Sequence, residues 1–83
     1  MKINAFKGPC HDGYREHSAV GAVAHAILGM SRGQVVIIEE VRDAMGRPMS
    51  WVKVRMAIGK VADDHQRKYK TLVENKNLII RAL

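Results

Sequence analysis

One apolar stripe constrains this chain more than any other feature. Trp51, Val54, Ile58 and Val61 recur at i, i+3, i+7 and i+10, the spacing of a helix with one face turned to a core. Ser50 stands just ahead of it, where a hydroxyl can accept a hydrogen bond from an N–H of the first turn. Lys53, Arg55, Met56 and Lys60 fall off the stripe, on the other side of the helix. Upstream, Val41, Ala44 and Met45 share one side of a shorter helical pattern, which Gly46-Arg47-Pro48-Met49 breaks. Residues 39–61 therefore predict two helices joined by a sharp turn. Gly59, inside the second, costs about 1 kcal/mol relative to alanine. It points to close packing, or to close approach of a ligand backbone.

A stripe needs a core to face. A chain of 83 residues forms one small domain, burying about 60% of its unfolded surface. With 47% apolar residues it has the material for a core and is not a disordered sequence. A second apolar helix is predicted within residues 16–30. It begins at His17 or Ser18, has Val20, Val23, Ala24, Ile27 and Leu28 on its face, and carries small residues that allow close helix contact. Gly29 or Ser31-Arg32-Gly33 ends it. Gln34-Val35-Val36 predicts a short strand, although Val35–Ile38 fits a strand and a buried helical start equally well.

The period then changes. From Lys68 to Val73, β-formers alternate with other residues; residues 74–77 are rich in turn formers, and residues 78–83 suit a second strand. The expected element is a hairpin with a basic tip. Met1–Tyr14, with turn signals at Gly8-Pro9 and Asp12-Gly13, predicts an N-terminal arm (residues 1–14) ahead of the folded domain (residues 15–83). Phe6 or Tyr14 would dock that arm on the body. The expected core is Val20, Val23, Ile27, Leu28, Val41, Met45, Val54, Ile58, Leu72 and Ile79 or Ile80.

The order helix, short strand, helix, helix, strand, strand resembles the winged-helix branch of the helix-turn-helix class, over residues 18–83. Gly46 at the turn and the Ser50/Val54/Ile58/Val61 spacing carry the resemblance. The turn is longer than in the commonest pattern. The resemblance implies an α+β winged-helix fold that binds DNA, its second helix in the major groove and its hairpin, the wing, along the backbone or in the minor groove.

Charge agrees with an anionic partner. The net charge is +6 and the pI about 9.9, although the sign alone does not separate nucleic acid from a membrane surface. Residues 65–83 carry five basic groups and one acidic, so the positive charge is concentrated toward that end. Lys53, Arg55 and Lys60 are the expected groove-facing cations, with Arg67, Lys68, Lys70 and Lys76 extending them through the hairpin. Arg47, Ser50, Trp51 and Met56 complete the expected DNA contacts. The expected partner is double-stranded DNA, bound with sequence preference by a transcriptional regulator or an accessory factor in recombination or replication, as a homodimer or cooperatively. The competing expectation is a protein-interaction module using Met49, Val52 and Met56.

Other classes find less support. Cys10, His11, His17 and His25 match no compact zinc spacing, so no metal or cofactor is expected. Glu39, Glu40 and Asp43 lie beside Arg42 and Arg47, with no nucleophile motif or phosphate-binding loop, which predicts a non-enzymatic protein. The first helix has no lysine or arginine between Glu16 and Met30, so it lacks the basic face of a membrane-surface helix. A single cysteine and the lack of an apolar leader lead us to expect a cytoplasmic protein.

Overall fold

Residues 1–83 are described by a computed structural model. Its elements are β1 (Lys2–Asn4), α1 (Ala19–Ile27), β2 (Val35–Ile38), β3 (Glu40–Arg42), α2 (Trp51–His65), β4 (Tyr69–Glu74) and β5 (Asn77–Ala82). The architecture is α+β, with two helices and five strands. β2, β5 and β4 form an antiparallel sheet in that order, and β1 pairs in parallel with β3.

The helix expected over residues 39–45 does not form. A winged helix needs three helices, and this chain has two, so the winged-helix and helix-turn-helix reading is corrected here. The reason is visible in the bonds. Glu40–Arg42 pairs in register with Lys2–Asn4, and the Met49 N–H donates to the Val41 carbonyl at 2.8 Å. Asp43 then closes a turn on itself: its Oδ1 accepts from the N–H groups of Met45 and Arg47, each at 2.9 Å. Gly46, at φ +78°, takes the left-handed position that ends such a turn. Val41 is inward because strand residues alternate, not because of a helical period.

Both helices start where their caps predict. Ser18 Oγ accepts from the Gly21 N–H at 3.0 Å, and Ser50 Oγ accepts from the Lys53 N–H at 3.4 Å. A side chain at Gly21 would meet Ser18 Oγ at 2.9 Å, so glycine there admits the close approach of the preceding loop. α2 buries Val54, Ala57, Ile58 and Val61 and ends at Gln66, in the left-handed region. The C-terminal hairpin turns through Asn75 and Lys76, at φ 52° and 67°, the conformation of a two-residue hairpin turn with both residues left-handed.

The core joins Val23 and Ile27 of α1, the buried face of α2, and Ile38, Val41, Leu78 and Ile80 from the strands. Ile3 and Ala5 are buried in it too. Two expected core residues lie outside: Met45, at the tip of the Asp43 turn, is 70% exposed, and Leu72 is 52% exposed on the outer face of the sheet. Val20 and Leu28 are only partly buried, and of the isoleucine pair it is Ile80 that is fully inside. No helix is long and apolar enough to cross a membrane.

Candidate functional site

α2 lies on the surface with one long side uncovered. At about 100° of rotation per residue, Val52, Met56, Gly59 and Asp63 run down the middle of that side. Val52 and Met56 are each 70% exposed, and a side chain added at Gly59 would meet nothing within 4 Å. Lys53 and Lys60 lie along one flank and Arg55 along the other, so the three cations border an apolar centre instead of sharing one stripe.

The flanks face different parts of the molecule. Arg55 is one turn past Trp51, whose indole N–H donates to the Lys76 carbonyl at 3.2 Å. That bond pins the hairpin tip beside the start of α2 and places Arg55 on the hairpin side. Lys53 faces the Asp43 turn. The Asp43 carboxyl is held below its usual range, first by the Arg47 N–H, with Met45 N–H and the charges of Arg47 and Lys53 adding to it. Lys60 pairs with Asp64 at 3.6 Å. Arg47 and Lys53 therefore lie at the Asp43 turn on one flank of the start of α2, and Lys76 lies at the hairpin tip on the other.

Other residues expected in the site serve elsewhere. Arg67 reaches back to α1, donating to the Met30 carbonyl at 2.7 Å and the Leu28 carbonyl at 3.4 Å. The Tyr69 hydroxyl donates to the Ile27 carbonyl at 3.0 Å, so the pair closes the C-terminal end of α1. Arg67 also sits 5.9 Å from the centre of the Tyr69 ring. Burial raises the Tyr69 hydroxyl pKa, against the opposing charge of Arg67. Ser50 spends its hydroxyl on the helix cap, and Trp51 packs against the core. Lys68 is exposed near the C-terminal end of α2. Lys70, paired in register with Arg81, is on the sheet face turned away from the helices.

A second polar cluster lies at the far end of α2. The Tyr14 hydroxyl donates to Asp64 Oδ2 at 2.8 Å, and His65 Nδ1 is 3.5 Å from the same hydroxyl. His11 meets His65 edge to face, with ring centres 5.4 Å apart. Partial burial and the Asp64 bond push the Tyr14 pKa up to about 12. The Tyr14 bond in turn holds Asp64 below the usual carboxylate range, with Lys60 contributing. The cluster fastens the loop before α1 to α2.

Sequence reasoning missed Met45 as a surface residue and left Gly59 open between close packing, which the empty space around it excludes, and approach of a ligand. The Asp43-x-x-Gly46 spacing was the available signal for the first. For the second it was the position of Gly59 opposite the buried residues. Compared with protein-family models, curated proteins and solved structures, the chain matches none.

Proposed function

We propose that this protein binds double-stranded DNA, with the uncovered side of α2 in the major groove and the hairpin tip on the phosphate backbone. The observation that carries the reading is Lys76. It occupies a left-handed turn position at φ 67°, where glycine costs least, and Trp51 holds it beside the start of α2. A cation kept at a strained tip next to an open helix face suits a phosphate contact. α2 then offers Arg55 to a guanine edge and Val52 and Met56 to thymine methyls. Lys53, Lys60 and Arg47 reach phosphates along the other flank, and the bare backbone at Gly59 allows close approach. The role is binding without catalysis, as a cytoplasmic transcriptional regulator or an accessory factor in recombination or replication.

A titration of labelled duplex at two salt concentrations tests this, because phosphate contacts release counterions and steepen the salt dependence. Arg55→Ala is expected to cost about 1–3 kcal/mol on a preferred site and much less on random sequence. Absence of binding to mixed-sequence duplex at low salt would refute the proposal. It would favour the second reading, a protein-interaction surface, for which the 70% exposure of Val52 and Met56 is the specific support; Met49, expected beside them, instead packs against the core.

A further inference from the structure

The edge of the three-stranded sheet carries a second surface. β4 pairs only with β5, so its other side is open. The hairpin closes on Glu74 and Asn77, and the Leu83 N–H donates to the Lys68 carbonyl. Main-chain groups of Lys70, Leu72 and Glu74 therefore point at β5, and those of Tyr69, Thr71 and Val73 point out of the sheet. Each face of this edge exposes one apolar side chain: Leu72 is 52% exposed on the outer face and Val73 is 40% exposed on the inner face.

We infer that β4 is a self-recognition edge, on which a second copy of this chain adds its own β4 antiparallel about a two-fold axis through Leu72. That register sets the outward N–H and C=O groups of Thr71 opposite those of Val73 in the second copy, so the two strands exchange hydrogen bonds at both pairs. It also places Lys70 across from Glu74 of the second copy, twice by symmetry, and Leu72 against its own counterpart. The pattern Lys70-x-Leu72-x-Glu74 is complementary to itself in this register. Shifting the axis to Thr71 sets Lys70 against Leu72 and Glu74 against Lys68, so Lys70 loses its anion and the Leu72 pair is broken.

Charged residues on an edge strand ordinarily keep other strands away. Here Lys70 would repel or waste itself on an unrelated edge, while Glu74 at the mirrored position admits a copy of the same strand. Stacking two outer faces is the competing arrangement. Ile37, 50% exposed, lies in one row with Ile79 and Leu72 and supplies apolar area for it. Lys70 and Arg81 are paired neighbours on that face, however, and stacking would bring like charges together. Edge pairing removes that conflict and joins the two sheets into one.

The test uses the whole chain without DNA, so its outcome is independent of the DNA reading. Sedimentation equilibrium over a range of concentrations should show a monomer–dimer equilibrium in the micromolar range, fitting an interface below standard size. Lys70→Glu and Glu74→Lys should each weaken the dimer about tenfold, since two symmetric pairs become repulsive together. The combined variant should restore self-association to within about threefold of the parent. Thr71→Pro removes an N–H that only the second copy uses, and should give a monomer with unchanged circular dichroism. If Thr71→Pro unfolds, the exposed charge variants still decide. A chain that stays monomeric at every concentration overturns the inference. So does a dimer indifferent to all these changes, and a dimer that Thr71→Pro abolishes but the charge exchange fails to restore refutes the Leu72-centred register.

Discussion

Arg67 and Lys76 look alike in the sequence, one cation just before a hairpin and one at its tip, and the fold gives them opposite work. Arg67 supplies donors to two carbonyls at the end of α1. Arg67→Ala strands both, and the expected loss is about 2–3 kcal/mol, measured as a lower urea midpoint, with DNA affinity per folded molecule unchanged. A drop in affinity larger than the unfolded fraction explains would return Arg67 to the interface. Lys76 supplies no such bond through its side chain and holds a left-handed φ of 67°. Lys76→Gly should therefore stabilise the fold by about 1 kcal/mol, while lowering the salt slope of DNA binding by about one unit. Stability and binding moving together would show that the lysine is not retained for phosphate.

At the scale of the element, α2 combines a buried stripe that any core would need with an outer side that stability does not require. Gly59 is the clearest case, since nothing surrounds the space its side chain would fill. Gly59→Ala should raise helix stability by about 1 kcal/mol, read by thermal or urea unfolding. If the middle of α2 approaches a groove closely, the same change weakens binding to the preferred duplex. Tighter binding by the more stable variant would mean that the centre of α2 stays clear of DNA. The hairpin and both helix caps were legible because their signals are local: Ser18, Ser50 and the alternation from Lys68 onward. The segment 40–46 was misread because Val41, Ala44 and Met45 satisfy a helical period over a span too short to separate it from a strand and a turn.

Across the whole molecule, the loop before α1 is tied to the far end of α2 through Tyr14 and Asp64, and this contact makes stability depend on pH at both extremes. Asp64 has a folded-state pKa lowered from 3.8, first by the Tyr14 bond. Its contribution is complete above that unfolded value and is lost as the pH falls through the lower folded one. Asp43, lowered by its turn, acts in the same direction. Tyr14 is raised from 10.0 to about 12, so its contribution is complete below pH 10.0 and lost as the pH rises toward 12. Tyr69 is also raised and adds to that alkaline loss. Urea midpoints followed against pH should fall in both windows, and Tyr14→Phe should shrink both without removing either. An unchanged alkaline limb in that variant would show that the tyrosine contact is absent in solution.

The sequence by itself determined α1, α2, the closing hairpin and most of the buried face, because caps, turn formers and hydrophobic period act over a few residues. Only the tertiary structure decided that Glu40–Arg42 is a strand, since its partner, Lys2–Asn4, lies far away in the chain and no local pattern encodes a parallel pairing. The same holds for the cations. Arg67 and Lys76 carry the same charge, and what separates a helix-end donor from a surface contact is which carbonyls lie within reach, a distance that exists only once α1, α2 and the sheet have packed.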